Sequence, residues 1–200
     1  MGNAVNYQRK LTEILKDHND NGHIPRILLH ACCAPCASSC MEVLDRFADI
    51  TVFFYNPNIT IKEEYEHRLG ELKRLVGEMT FAHRVEVLEG EYDPELFSSM
   101  SKGLENEPER GARCLNCYRM RLGKTARIAA EGGYDYFATT LTLSPLKPAQ
   151  TINGIGMEIS DIYLPSDFKK NNGYLRSIEL SGQFNLYRQN YCGCVYSRRG

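Results

Sequence analysis

Seven of the eight cysteines in this chain fall in three tight groups. Cys32, Cys33 and Cys36 make a C-C-x-x-C run, Cys114 and Cys117 a C-x-x-C, and Cys192 and Cys194 a C-G-C. Thiols within one turn of chain usually share a task, either metal ligation or electron transfer. Three such groups, far apart in sequence, imply one composite site assembled by folding. Cys33-Ala-Pro-Cys36 has the look of a thioredoxin-type dithiol, but the adjacent Cys32 and the second C-x-x-C tilt it toward metal. Four thiolates from two short motifs bind zinc or an iron–sulfur cluster, and spacing does not separate the two. Zinc alone would leave Cys192 and Cys194 unexplained. A disulfide between residues two apart closes a small, strained ring, and strained disulfides belong to redox pairs more than to structural ones. The C-G-C therefore reads as a redox dithiol or as further ligands, which favours iron–sulfur over zinc. Cys40 reads as a small buried hydrophobe.

Compartment bears on this reading. No apolar run approaches the roughly 18 residues needed to span a bilayer. The N-terminal MGNAVNYQRKL has no apolar signal region, and Asn6 stands where an acylation signal needs Ser or Thr. The expectation is a soluble, cytoplasmic protein without membrane partners, where structural disulfides are disfavoured. A net charge of -1 gives no global sign of nucleic-acid binding, so any RNA must be held by a local basic surface.

The elements that must position these thiols are readable from periodicity. Arg26 to Ala31, Ile50 to Tyr55, Arg84 to Leu88 and Tyr136 to Thr140 are short apolar runs bounded by turn signals, hence strands. Between them lie helical patterns. One covers residues 3–18, with Val5, Leu11, Ile14 and Leu15; another follows a cysteine loop at 32–36 and runs from Ser38 to Phe47. Ile61, Tyr65, Leu69, Leu72 and Val76 mark one apolar face of a long helix. Asp93-Pro94 starts another, as N-cap and first helical position. Cys114 to Ala130 is a further helix, and segments near 148–160 and 173–185 complete the set. The Gly/Pro-punctuated stretch 101–113 is expected to be a mobile loop. Strands alternating with helices predict an α/β fold with a mostly parallel sheet, the whole chain forming one domain. Sites in such sheets collect at the carboxyl ends of strands, where the first cysteine group lies. On the helix from Cys114, both cysteines share a face with Arg121 and Lys124. Leu115, Tyr118, Leu122, Ala126 and Ala129 form the core stripe.

His30-Ala-Cys-Cys-Ala-Pro-Cys36, Arg113-Cys-Leu-Asn-Cys-Tyr-Arg-Met-Arg-Leu122 and Tyr187-Arg-Gln-Asn-Tyr-Cys-Gly-Cys-Val-Tyr-Ser197 together resemble the QueH family of cobalamin-independent epoxyqueuosine reductases. Tyr55-Asn-Pro-Asn-Ile59, Glu64-Tyr65 with Arg68, and Thr139-Thr-Leu-Thr-Leu-Ser-Pro-Leu-Lys147 extend the resemblance over roughly residues 26–197. It implies a HUP-like, ATP-pyrophosphatase-related three-layer fold with extra C-terminal helices. Cysteines here replace the Ser/Gly-rich phosphate loop of those relatives, so nucleotide hydrolysis is disfavoured. The implied activity is two-electron reduction of epoxyqueuosine to queuosine in tRNA, the last step of queuosine biosynthesis.

By the same resemblance, Cys32, Cys33, Cys114 and Cys117 would hold a [4Fe-4S] cluster, and Cys192 with Cys194 would be a redox-active pair able to form a disulfide. Some members carry one additional iron, with a carboxylate close to the Cys-Cys pair; Cys36 stands at the corresponding position here, so this chain would ligate that iron differently. The partners implied are tRNA, through its anticodon stem-loop, and an unidentified electron donor. Substrate contacts are expected from Asn56, Asn58, Tyr65 and Arg68, from Arg121, Lys124 and Lys147, and from Tyr187, Arg188 and Tyr191. Arg119, Arg127, Lys169, Lys170, Arg176, Arg198 and Arg199 are further candidates for phosphate contact. Two competing readings are a thiol–disulfide oxidoreductase using Cys33 and Cys36, and a non-catalytic zinc module that binds RNA or protein.

Overall fold

Four apolar segments pair as parallel strands: β1 (Arg26–Ala31), β2 (Asp49–Phe54), β3 (Val85–Glu89) and β4 (Tyr136–Thr139), in the order β3-β2-β1-β4. The computed structural model describes residues 5–197. Strand side chains alternate between faces, and in β1 that alternation feeds two separate apolar clusters. Ile27, Leu29 and Ala31 join one, and Leu28 joins the other. Both faces are covered, as a parallel sheet requires. On the first lie α1 (Tyr7–Asp20), α2 (Ala34–Leu44) and α3 (Lys62–Glu78), with α7 (Gly173–Gln183) packed on α2. On the second lie α5 (Ala112–Glu131) and α6 (Ala149–Ile159). Each fully buried Leu or Phe in these clusters contributes roughly 1.5–3 kcal/mol. The result is the expected three-layer α/β architecture.

The chain runs outward from β1 to β2 and β3, then crosses back to place β4 on the other side of β1. The strand order therefore switches between β1 and β4, and the crevice beyond their carboxyl ends is where such folds bind ligands. Cys32 and Cys33 leave β1 at that point, and a 3-10 turn (Thr140–Leu143) leaves β4 beside them.

Two helix starts differ from the sequence expectation by four residues, and the second helix also ends earlier, at Leu44 and not Phe47. The first helix begins at Tyr7, where Asn6 Oδ1 accepts from the Arg9 amide at 3.0 Å, so Val5 lies outside it. Residues 3 and 4 lie outside the described residues. The second helix begins at Ala34 and not Ser38, because Pro35 suits a first turn, with its backbone φ preset and no N–H to lose. That early start draws Cys36 into the helix.

After α7 the chain returns along the polar face of α3. Arg74 donates to the carbonyls of Phe184 and Asn185, and Glu71 accepts the Tyr187 amide at 2.9 Å. One to two turns earlier, Glu64 accepts from the Tyr187 hydroxyl and Arg68 donates to the Tyr191 carbonyl. Hydrogen bonds from Arg74 hold the Glu71 carboxyl below its ordinary range, with the Tyr187 amide adding to them against burial. Replacing Glu71 with Gln is expected to cost about 1–2 kcal/mol. It should also raise amide exchange over residues 185–197, measured by hydrogen–deuterium exchange. Since the folded value is lowered, the contribution is complete above the ordinary carboxylate range. It fades as pH falls through the lowered value.

Candidate active site

The first cysteine group is set by the end of β1. Leu28 and His30 share the face toward α5, which carries the side chain of His30 to Arg121 at 3.2 Å. Cys33 is the N-cap of α2, with extended backbone (φ -172). A helix N-terminus favours thiolates at this position. The sulfurs of Cys32, Cys33 and Cys36 all lie within 4.8 Å of one another, with Cys32 and Cys33 at 3.7 Å. Hydrogen bonds from Cys33 and Cys36 hold Cys32 well below the usual thiol range, and Arg121 and Lys147 add to them against burial. Cys33 is pushed up to about 12, first by its bond to Cys32, and Cys36 is raised for the same reason. Of the three sulfurs, Cys32 is the one favoured as a thiolate.

The second group opens α5. The Arg110 amide donates to Cys114 Sγ at 3.3 Å. Cys117 packs with Cys194 and with Phe97 of α4 (Pro94–Ser101), and burial pushes its thiol up to about 11. The stretch 101–113, expected to be mobile, is a run of turns held by side chains. Buried Arg113 donates to the carbonyls of Leu104 at 2.7 Å and Glu105 at 3.0 Å, and Glu107 accepts the Ala112 amide at 2.9 Å.

The third group is seated by its glycine. Gly193 has φ +100, in the left-handed region that side chains avoid. A Cβ there would meet Ile59 Cγ1 at 2.5 Å. Asn58 Nδ2 donates to the Cys192 carbonyl at 3.1 Å, and the Arg68 guanidinium lies 5.1 Å from the centre of the Tyr191 ring. A hydrogen bond from Cys194 holds Cys192 well below the usual thiol range, with Lys147 and Ser197 adding to it against burial, while Cys194 is raised. All eight cysteines are free thiols. Gly193→Ala is expected to cost roughly 1–3 kcal/mol from backbone strain, with overlap against buried Ile59 added. Thermal denaturation should show the loss, and alkylation should show Cys192 and Cys194 more accessible.

Two adjoining cavities receive these groups. Cys32, Cys33 and Cys36 line one of about 300 Å³, together with Tyr174, Arg188, Gln189 and Tyr191. Cys114, Cys117 and Cys194 line one of about 130 Å³, together with Phe97 and Arg113. Cys192, Arg121, Lys147, Glu109 and Ser197 stand in the walls of both. Lys147 is lowered by burial but raised overall by Cys32, Cys192 and Cys36, so it stays cationic between the thiol sets. The Arg121 guanidinium is clamped from behind, donating from Nε to His30 Nε2 and from Nη2 to Asn56 Oδ1 at 2.6 Å. His30 can accept only as the neutral ring, whose Nδ1–H then faces Thr139 Oγ1 at 2.8 Å. Burial and Arg121 lower His30 to about 3, so the ring is neutral, and its Nε2 also lies 3.1 Å from the Tyr55 carbonyl.

The structure thus brings Cys32, Cys33, Cys36, Cys114, Cys117, Cys192 and Cys194 together with Asn58, Arg121, Lys147, Arg188 and Tyr191. Asn56, Tyr65, Arg68, Lys124 and Tyr187 line neither cavity. Asn56 bonds Arg121 and the Ala31 carbonyl, Tyr65 donates to the Gly90 carbonyl, and Lys124 pairs with Glu91 at 3.0 Å. Arg119, Arg127, Lys169 and Arg176 are each paired with a carboxylate. Arg198 and Arg199 lie outside the described residues. Cys40 is buried in the main core, as expected of a packing residue. Sequence reasoning assigned no role to His30, Glu109, Arg113, Gln189 or Ser197. Strand alternation would have turned His30 toward α5, Arg113, Gln189 and Ser197 lie within the motifs that carry the family resemblance, and no sequence signal marks Glu109.

The donor set suits a metal. Thiolates about 2.3 Å from one tetrahedral ion lie roughly 3.8 Å apart, close to the spacing of Cys32 and Cys33. Buried Asn58 Oδ1, Arg68 Nη1 and Gln189 Oε1 have no hydrogen-bond partner among the described residues, and all three belong to the walls of this centre or to the seat of the C-G-C loop.

Fold and site define an α/β protein with a buried, cation-flanked cysteine centre suited to metal, at the switch point of a parallel sheet. The family profile described as "Epoxyqueuosine reductase QueH" matches residues 27–200, and the chain belongs to that family. An epoxyqueuosine reductase QueH of Staphylococcus epidermidis is 46% identical over 201 residues, covering 96% of this chain and 84% of that one. Another, of Streptococcus pyogenes serotype M1, is 46% identical over 201 residues, covering 98% of this chain and 79% of that one. An NMN synthetase of Francisella tularensis is similar in structure at a TM-score of 0.48 and 12% identity, covering 94% of this chain and 75% of that one. Among the described residues no helix is long and apolar enough to cross a membrane.

Proposed function

We propose that this protein reduces epoxyqueuosine to queuosine at the wobble position of tRNA. The observation that carries the reading is the meeting of three cysteine groups at two adjoining cavities, in a chain of this family. Cys32, Cys33, Cys114 and Cys117 are the residues that would hold a [4Fe-4S] cluster, and Cys36, beside Cys32 and Cys33, would ligate one additional iron. Such metals would supply electrons one at a time and a Lewis-acid position for the substrate oxygen.

The reaction's balance matches the C-G-C pair. An epoxide takes up two electrons and two protons, its two C–O bonds break, and it leaves an alkene and water. Two thiols joining as a disulfide release two electrons and two protons. Cys192 and Cys194 therefore hold the two electrons and two protons of the exchange, the metals would relay those electrons one at a time, and an external donor then restores the dithiol. Lys147 and Arg121 place fixed positive charge where the oxygen becomes an anion. Tyr174, Tyr191 and Arg188, in the wall of the larger cavity, suit a splayed-out base and its phosphates. The competing thiol–disulfide reading used only Cys33 and Cys36, and it gives no task to the other two groups.

The test is reduction of epoxyqueuosine-containing tRNA by anaerobically reconstituted protein with dithionite. Conversion to queuosine is the expected result. No conversion by protein with intact iron and acid-labile sulfide would refute the substrate, and stoichiometric zinc without a chromophore would refute the cofactor. On this reading one α/β domain carries the whole site and works in the cytoplasm, where its tRNA is found.

A further inference from the structure

We infer that Arg121 is a positioning residue that sets how readily the cysteine centre accepts an electron, through a guanidinium clamped by His30 and Asn56. The inference rests on the iron–sulfur reading above. Arg121 is only 2% exposed, and among the described residues no carboxylate pairs with it. The contrast with Arg68 is informative. That guanidinium is also buried, but Glu64 pairs with it at 2.6 Å. Both partners of Arg121 are neutral acceptors. Asn56 carries no charge and spends its amide on the Ala31 carbonyl at 2.9 Å, and His30 is a neutral ring whose Nε2 lies 3.2 Å from Arg121 and 3.1 Å from the Tyr55 carbonyl. An unpaired buried charge is costly, so a fold that builds one needs an anion to face it.

The anions available are the sulfurs. Arg121 lies in the walls of both cavities, between Cys32 on one side and Cys114, Cys117 and Cys194 on the other. Lys147 and Cys192 share that dividing wall, and Glu109 is the one carboxylate among the described residues lining either cavity. Accepting one electron adds one negative charge to the centre. A guanidinium held in place stabilises that charge with no rearrangement, because its clamp is already made.

The experiment compares wild type, Arg121→Gln, Arg121→Lys and Asn56→Asp, each reconstituted anaerobically. Iron and acid-labile sulfide are counted, and the centre is poised against redox dyes and read by optical and electron-spin spectroscopy. Arg121→Gln removes the charge, and Asn56→Asp sets a carboxylate against it at nearly unchanged shape. Both are expected to lower the ratio of reduced to oxidised centre at a fixed poise about tenfold, a shift of about 59 mV for one electron. Arg121→Lys, which keeps the charge, should fall between these variants and wild type. A ratio within twofold of wild type in loaded Arg121→Gln and Asn56→Asp would overturn the inference while leaving the cluster reading intact. Failure of all three variants to load would also overturn it, since Arg121 would then serve assembly and not potential. Wild type without iron and sulfide would sink both readings.

Discussion

Cys33→Ser and Cys117→Ser are each expected to leave the anaerobically isolated protein without its visible chromophore. Iron and acid-labile sulfide should fall together, and epoxyqueuosine reduction by about 100-fold or more, since even changes around a metal's ligands cost about 10–100-fold. The two residues come from different segments. Cys33 caps α2, and Cys117 lies in the first two turns of α5. Serine keeps the size and loses the soft thiolate that iron requires. The pairing makes the test specific. If only Cys33→Ser bleaches the protein, the centre rests on the compact Cys32, Cys33 and Cys36 triad alone, and Cys117 belongs with its neighbour Cys194. Cys40→Ser is the control. Cys40 is fully buried in the main apolar core, so that change should lower stability and leave the absorbance of folded protein unchanged.

The second large effect concerns the tail. Cys192→Ser and Cys194→Ser should retain the chromophore and lose turnover by about 100-fold or more, because one thiol cannot form the disulfide that releases the two electrons and two protons. Quantifying iron beside tRNA product formation checks this. Loss of iron in either variant would make these residues ligands. The two thiols are also predicted to be unequal. Cys192 is the thiolate, favoured by Cys194, Lys147 and Ser197, so an alkylating agent at limiting dose should mark Cys192 before Cys194.

Much of this architecture was legible before any coordinates. The strand runs match the observed strands to within two residues, because short apolar segments between turn signals leave little choice. The placement of the first cysteines beyond β1 followed from the parallel sheet. What escaped was burial of polar groups by distant partners. Arg121 continues the cysteine face of α5, where its charge suits an anionic cluster or a phosphate, but nothing in the local sequence signals its burial. It is buried because His30 and Asn56 meet it from 91 and 65 residues away. Arg113 is similar, drawn inward by carbonyls of the loop before it. Arg68 could have been read, since Glu64 is four residues earlier on the same helix. The docking of the C-terminal tail on α3 has no sequence period at all. It is a set of side chain to backbone bonds, and backbone acceptors carry no sequence signature.

The first two cysteine groups lie roughly eighty residues apart, so a cluster bonded to both would cross-link the chain across one long loop. In the chain-entropy account, closing a loop of that size restricts the unfolded ensemble by about 4–5 kcal/mol. The site would then act as a staple as well as a reactor. Loading would be a late folding event, and chelation should lower the melting temperature of the whole α/β unit, not only silence the chemistry. Protein made under iron starvation would be expected to fail first as a substrate for proteases and only secondarily as a catalyst.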